Sequence, residues 1–499
     1  MIVRVVPDVA GLDGKEFDYL VPNRFRDQMR VGAIVRVVLH GRRVRAWVSA
    51  VDVEAPAGVE LRPISQVSRG GVDAEVFDLA RWAAWRWAGR LVHLLDTATN
   101  ARATVRPGTL AAAPGVTVRR IPPAAPLPPF DGALVVRGRR STVWAALDRP
   151  PRAIVVVDEH DEGLQEERAP TWHARDVAVE RARRLGVPCI LTSPCPSLEA
   201  LAVADRVIEP SRDEERAGWP IVEVVDRRRD DPRSRLYSEA LVRAIDRAGD
   251  RPVLAVLNRR GRSRLLACAA CGEVATCERC GAAVVQPETV LHCERCGLDR
   301  PVVCTHCGSS AMRNLRAGAG RAQEELDALV GRGRVTVGTE AVLHGQIDGA
   351  ALVAFLDFDQ ELLAPRYRAS EQAMALLARA ARLLGPRQRG GRILVQTRLP
   401  KHPVIEAALY ADPGRLAAAE LERRRQLGFS PACALAAVSG AAAPAFIEAL
   451  GAPLGVEVLG PADGRWLLRA SDHRTLCDAL AATPRPPGRL RVEVDPLRV

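Results

Sequence analysis

Eight of the twelve cysteines fall in four CxxC pairs: Cys268/Cys271, Cys277/Cys280, Cys293/Cys296 and Cys304/Cys307. One such pair offers two thiolates from a single tight turn, and two pairs complete a tetrahedral site of four sulfur ligands, the spacing of structural zinc. Four pairs therefore predict two zinc ions, with no open position on either for a reactive water. Gly272, Gly281, Gly297 and Gly308 directly follow the second cysteine of each pair, where the chain must turn sharply to aim both sulfurs at one metal. A disulfide framework is the competing reading, but no secretory leader follows Met1, so the expected setting is a reducing cytoplasm that keeps thiols available. A redox-sensing array is a remoter alternative, because thiolates held in complete metal sites exchange poorly. His292 and His306 flank or interrupt the array and could replace a thiolate, yet eight cysteines already complete two sites. Cys189, Cys195, Cys433 and Cys477 lack ligand spacing and read as buried small apolar residues.

A second group of residues suggests phosphate chemistry that has been lost. The run Val155 to Asp161, VVVDEHD, is a buried strand ending in acids, the place where nucleotide-hydrolysing lobes hold a divalent cation and polarise water. A phosphate-cradling loop of the GxxxxGK(S/T) type needs a lysine, and Lys15 and Lys401 are the only two lysines in the chain. Lys15 is followed by Glu16 and has no glycine five residues before Gly14; Lys401 lies between Pro400 and His402. Gly138 to Thr142, GRRST, follows a strand where such a loop would belong, but it lacks the second glycine and the lysine. Nucleotide binding is therefore not expected.

Length and composition set the frame that positions these residues. At 499 residues the chain predicts several domains, since single cores rarely grow past roughly 250–300 residues. A net charge of +11 and a pI near 9.4 suit a polyanionic partner, while an aromatic content of 4% argues against a surface built of many base-stacking platforms. The apolar runs, such as Ala351 to Leu356, are far shorter than the ~20 residues of a membrane span.

Short strands punctuated by glycine fill residues 1 to about 70: Ile2 to Val6, Phe17 to Val21, Ala33 to Leu39 and Val44 to Val51. A helical stretch follows from Asp73 to about Leu95, and the Pro/Ala/Gly-rich segment Pro107 to Pro129 reads as a linker. Buried strands then alternate with helix at Ala133 to Val136, Ala153 to Val157, Arg175 to Leu185 and Cys189 to Thr192, and again at Val253 to Leu257, Val335 to Gly338, Ala351 to Leu356, Glu371 to Leu384 and Ile393 to Gln396. That alternation predicts two parallel α/β units, with the cysteine array inserted between the first two strands of the second. A helix-rich connection including Glu422 to Leu427 leads into an alternating β/α tail ending in Leu490 to Val494.

The order FDYL, VDEHD with HARD, SPCPSLEAL, NRRG, four CxxC pairs, GT and HG, LDFDQELLAPRYRASEQ, LVQT, RRRQLGFSP and VEVDP resembles the PriA family of primosomal replication-restart proteins nearly end to end. The resemblance implies a multidomain α/β fold: an N-terminal β-rich DNA-binding domain (1–105), a linker (106–131), two RecA-like superfamily 2 helicase lobes (132–215, truncated, and 216–266 with 309–403), an inserted zinc module (267–308) and a C-terminal α+β domain (404–499). It implies that Cys268, Cys271, Cys304 and Cys307 hold one zinc and Cys277, Cys280, Cys293 and Cys296 the other. It also implies that Phe17, Asp18, Gly41 and Arg62 hold the 3′ end of a nascent strand, roles that fit base stacking, hydrogen bonding to a free hydroxyl or a base edge, close backbone approach and phosphate pairing respectively. Arg227 to Arg229 and Arg423 to Arg425 are candidate phosphate contacts.

Departures from the family pattern fall on catalysis. The acidic box is one acid short at Asp158-Glu159-His160, the coupling motif reads Ser193-Pro194-Cys195, and Glu340 and His344 stand in Gly338-Thr339-Glu340 and His344-Gly345. The arginine-finger motif is RAARLLGP at Arg379 to Pro386, where Leu383 and Pro386 replace the fingers. The expectation is a restart protein without ATPase or helicase activity of its own. It would bind forked and single-stranded DNA and meet single-strand binding protein and the replicative helicase or its loader, in a cytoplasmic, nucleoid-associated setting with no membrane contact. An active ATP-driven 3′–5′ helicase and a zinc-dependent protein scaffold without DNA binding are the rival readings.

Overall fold

The computed structural model describes residues 1–499 apart from 10, 13, 55–57, 100, 139–141, 231–235, 259–265, 288, 315–318, 346 and 499. The chain opens with an antiparallel sheet in the spatial order Phe17–Leu20, Ile2–Pro7, Arg42–Val51, Ala33–Leu39, Gln66–Gly71. Alternating valines turn Val3, Val5, Val35, Val37 and Val48 inward onto Tyr19 and Ile64. Residues 62–65 close the sheet on itself: Leu20 N–H donates to the Arg62 carbonyl (2.9 Å), Ile64 N–H to Leu20 (3.0 Å) and Ser65 N–H to Arg36 (2.9 Å). Closure of this kind removes the exposed edges that an open sheet presents.

Two helices follow, Ala74–Arg86 and Leu91–Ala98. The sequence reads as one helical stretch from Asp73 to about Leu95; the break comes where Ala88 takes a left-handed φ of 44° before Gly89. These helices share a core with the first parallel sheet and the C-terminal domain: Phe77, Leu95, Val118, Ile154, Val177, Phe446 and Leu480 belong to one apolar cluster.

The first parallel sheet runs Arg206–Ile208, Val116–Arg120, Cys189–Ser193, Ala153–Val157, Ala133–Val136. The expected linker 106–131 is thus corrected: Val116–Arg120 is an interior strand, paired with Cys189–Ser193 on one side and Arg206–Ile208 on the other, and Val118 is fully buried. Prolines and alanines around it mask a short β-branched run, and pairing from both neighbours outweighs the surrounding composition.

The second parallel sheet runs Ile221–Asp226, Arg392–Thr397, Leu352–Phe355, Val253–Val256, Val335–Gly338. The strands Val253–Val256 and Val335–Gly338 are hydrogen-bonded neighbours, and the cysteine array lies in the chain between them. Its base is pinched shut by the antiparallel pair Leu266–Cys268 and Met312–Asn314. The helix Ala369–Leu384 packs under this sheet through Met374, Leu377 and Ala381. A four-stranded antiparallel sheet with helices Ala443–Leu450 and His473–Ala482 ends the chain. Among the described residues no helix is long and apolar enough to cross a membrane.

Candidate metal centres and nucleic-acid interface

Each CxxC pair folds into the same small turn, in which a glycine N–H donates back to the first cysteine's carbonyl: Gly272 to Cys268 (3.0 Å), Gly281 to Cys277 (2.8 Å), Gly297 to Cys293 (2.9 Å) and Gly308 to Cys304 (2.9 Å). All four glycines have φ between 71° and 79°, a conformation other residues adopt only with strain. The turns gather the sulfurs in a nested arrangement, Cys268, Cys271, Cys304 and Cys307 in one group and Cys277, Cys280, Cys293 and Cys296 in the other, with ligand atoms within 4.8 Å of one another. The closest Sγ···Sγ approaches are 3.5 Å for Cys268/Cys307, Cys277/Cys296 and Cys280/Cys293 and 3.6 Å for Cys271/Cys304. A disulfide needs about 2.05 Å, whereas a tetrahedron with metal–sulfur bonds of about 2.3 Å has edges of about 3.8 Å. Both groups therefore fit a metal ion.

In each group one thiol is drawn down while neighbours are pushed up: burial takes Cys271 up to about 12 and Cys296 up to about 11, and contact with Cys293 raises Cys280. Burial pushes the Cys268 thiol up, but N–H groups of Cys271 and Ala270 outweigh it and bring it to about 6; the Cys280 thiol, with N–H groups of Cys296 and Arg295, draws Cys293 down to about 5. The two groups differ in surroundings. The Cys277 group is docked on the body of the protein: Ala283 N–H donates to the Leu363 carbonyl (2.8 Å), Arg295 bridges the carbonyls of Cys280 (3.1 Å) and Ala364 (2.6 Å), and Leu427 packs on its apolar side. The Cys268 group lies outward, with Cys307 exposed. His292 pairs with Asp299 at 2.7 Å and His306 is exposed; neither joins a sulfur group.

At the N-terminal sheet, Phe17 is half-buried against the valine core. Asp18 faces outward, where its strand partner Arg4 grips it with a two-pronged contact of 2.8 and 3.2 Å. Arg62 is exposed and joined to this strand through the Leu20 rung. Gly41 occupies the tip of the hairpin between Ala33–Leu39 and Arg42–Val51, where His40 and Gly41 have φ of 46° and 79°, the left-handed pair that a two-residue hairpin turn requires. The Tyr19 hydroxyl donates to the Val38 carbonyl (3.1 Å), tying the turn end of that hairpin to the Phe17 strand. Arg4 escaped the sequence reading. Strand alternation with Val3 and Val5 inward already placed it outward, but only the register sets it opposite Asp18.

Two of the candidate phosphate contacts are not surface residues. Arg227 is 4% exposed and pairs with Asp230 at 2.7 Å. Arg424 is 1% exposed and lies among Glu199 (3.1 Å), Glu371 and Glu420 (3.6 Å). Both are structural cations, because a helix or strand end turns each inward toward carboxylates distant or near in sequence. Arg228 pairs with Asp226, Arg423 with Glu420, and Arg229 and Arg425 are exposed.

The acidic strand end faces the second unit across a cleft of about 910 Å³ lined by His160, Asp161, Asn258, Glu340, Arg368 and Arg379 among others. Glu159 is fully buried and accepts from Ser197 N–H (2.8 Å), Ser197 Oγ (2.7 Å) and Arg175 (3.4 Å). His160 lies 2.8 Å from Ser193 Oγ, and Glu340 N–H donates to Asn258 Oδ1 (2.6 Å). Asp158 takes both of its hydrogen bonds from Arg382, each 2.7 Å, and Asp161 accepts from Arg379 (3.0 Å). Burial pushes the Asp158 carboxyl up, but Arg382 outweighs it and holds it below its usual range. The central residues of GRRST and the arginines of NRRG lie outside the described residues.

Residues 4–100, which hold the closed sheet and its paired helices, match the family model of the 3′DNA-binding domain of PriA. Over about 60% of its length the chain is similar to replication restart protein PriA. It is 27% identical over 348 residues to that protein of Bacillus subtilis (61% of this chain, 43% of the relative) and 30% identical over 337 residues to that of Treponema pallidum (60% and 50%). It is 34% identical over 348 residues to the probable replication restart protein PriA of Mycobacterium tuberculosis strain H37Rv (62% and 52%). The chain thus spans about half the length of the curated relatives it matches.

Proposed function

We propose that this chain is a DNA-binding replication-restart protein that recognises stalled or abandoned forks and promotes primosome assembly and reloading of the replicative helicase, without unwinding DNA itself. The observation that carries the reading is the 3′DNA-binding-domain match over residues 4–100; within that module Phe17, half-buried, and Asp18 share the strand Phe17–Leu20, and exposed Arg62 joins that strand through Leu20. Phe17 stacks on the terminal base, Asp18 with Arg4 reads the free hydroxyl, Gly41 lets the backbone approach closely, and Arg62 pairs with phosphate. Both four-sulfur groups hold zinc, the ion suited to four thiolates in tetrahedral geometry. Residues 116–215 and the second parallel sheet correspond to two helicase-like lobes that no longer bind ATP, since the chain lacks a phosphate-loop lysine. Single-strand binding protein and the replicative helicase or its loader are the protein partners, in the cytoplasm at the nucleoid.

The test is binding to a synthetic fork whose leading strand ends in a free 3′-OH, against the same fork 3′-blocked, with ATP turnover recorded in the same samples. Preference for the free end without turnover supports the reading. DNA-stimulated turnover overturns its helicase-dead part, and equal or absent binding to both forks overturns recognition of the 3′ end.

A further inference from the structure

The helix Ala369–Leu384 addresses the first parallel-sheet unit along a single stripe. Arg368, just before it, pairs with Glu199 at 2.8 Å; Gln372 donates to Glu162; Ala375 lines the cleft; Arg379 pairs with Asp161 at 3.0 Å; and Arg382 pairs with Asp158 at 2.7 Å. These positions step by four and three residues, the spacing that keeps side chains on one face of a helix. The two ends of the stripe differ. At the start, Arg368 and Glu199 are each 11% exposed, and Arg424, at 1% exposure, reaches the same glutamate; charges buried in this way separate only at high cost. At the far end, Arg382 and Asp158 are 47% and 23% exposed and Arg379 and Asp161 are 24% and 39%, so water and salt reach both pairs.

The far end lies at the acidic strand terminus, where a nucleotide-hydrolysing cleft would place a divalent cation and closure would be driven by bound nucleotide. Here one guanidinium fork engages both oxygens of Asp158, a bidentate geometry that saturates the carboxylate's outward face. Arg382 also donates to the Pro123 carbonyl (3.2 Å), and Arg379 lies 3.1 Å from His344 Nε2, so both arginines are held in place from more than one side. Neither is one of the positions aligned with finger arginines, which are Leu383 and Pro386.

We infer that Arg382–Asp158 and Arg379–Asp161 form an electrostatic latch that closes the cleft in place of nucleotide, so that its opening is governed by ionic strength rather than by ATP. The buried Arg368–Glu199–Arg424 cluster is the fixed end about which the latch opens. This inference rests on the reading that the lobes no longer bind ATP and does not depend on the fork-binding reading.

Hydrogen exchange of the full-length, metal-loaded chain tests it, read at residues 158–163 and 376–384. In the wild type, exchange in both segments rises with added NaCl and is unchanged by Mg²⁺ and ATP. Arg382→Ala raises it roughly two- to fivefold at low salt, the loss expected of one partly exposed ion pair, and reduces the salt dependence to the part carried by Arg379–Asp161. The reversal Asp158→Arg with Arg382→Asp restores wild-type protection, which a mere packing defect would not. Exchange unaffected by salt and by Arg382→Ala, closure induced by Mg²⁺ and ATP, or failure of the folded double variant to recover protection would each overturn the latch.

Discussion

Arg86 and Asp495, 409 positions apart in the chain, meet at 2.6 Å in the protein interior. His473 Nε2 lies 2.9 and 3.0 Å from the two oxygens of the same carboxylate, and the main chain around it takes further bonds: Gln165 donates to the Asp495 carbonyl (3.1 Å), Thr171 to Val494 (3.3 Å) and the Tyr367 hydroxyl to Pro496 (3.1 Å). The terminal VEVDP segment thereby touches the N-terminal helix, both parallel-sheet units and its own domain.

Removing one partner of this buried pair leaves a charge without compensation. Asp495→Ala is expected to lower the stability to denaturant by about 3–5 kcal/mol, measured by urea unfolding at neutral pH. Burial pushes the Asp495 carboxyl up, but His473 and Arg86 more than reverse it and hold it far below the usual carboxylate range. Its contribution is therefore present above the unfolded carboxylate pKa of about 4 and lost progressively as pH falls below it. Asp495→Asn should flatten that acid-side loss.

Metal analysis of the purified chain should give two zinc ions. Cys307→Ser, at the outward group, should lose one ion and leave residues 363–366 as protected from exchange as in the wild type. Cys280→Ser should also lose one ion but expose that segment, because Ala283 and Arg295 anchor it to Leu363 and Ala364. Equal exposure in both variants would contradict the docking described for the inner group.

On the fork with a free 3′ end, Phe17→Ala should weaken binding by about 1–3 kcal/mol, the worth of one stacked base. Arg62→Ala should instead reduce the slope of log affinity against log salt by about one. A salt titration of both variants separates the two effects.

The arginine run 423–425 makes a sharper contrast. Arg424→Ala should destabilise the fold by about 3–5 kcal/mol, whereas Arg425→Ala, 62% exposed with Glu422 at 3.7 Å, should change stability by less than about 1 kcal/mol. Thermal melts with matched fork titrations would show which of the two acts on DNA.

Asp359 is buried, and burial together with Asp357 pushes its carboxyl up to about 7, against hydrogen bonds from Thr397 and the Arg398 N–H. A raised folded-state value stabilises the protein most below the unfolded pKa, and that contribution disappears as pH rises through about 7. Asp359→Asn should accordingly reduce the decline in melting temperature between pH 5 and 8, read by scanning calorimetry.

What could be read from the sequence was what is encoded locally. The CxxC turns announce themselves because four short spacings and four glycines suffice to define them, and Ala133–Val136, Ala153–Val157 and Val335–Gly338 stand out as β-branched runs with clear ends. Val116–Arg120 did not, since the prolines and alanines around it speak for a linker and only its neighbours make it a strand. Ile221–Asp226 was passed over for a related reason: its place beside Arg392–Thr397 is set by a partner far along the chain. The arginines were the least legible. Arg424 and Arg425 are adjacent and chemically identical, and the helix alone decides that one meets Glu199 and the other meets water. Likewise Arg379 and Arg382 read as a decayed motif until their carboxylate partners on another unit come into view.

The strands Val253–Val256 and Val335–Gly338 lie side by side although the whole cysteine array separates them in the chain. Joining them in an unfolded chain means closing a long loop, an entropic cost that grows with the logarithm of its length. Metal bound in the nested groups would tie residues 268–307 into a few short circuits, and the two strands would then be joined, in effect, by a much shorter tether. The sulfur clusters thus bear on how readily the neighbouring parallel sheet assembles as well as on the module that contains them.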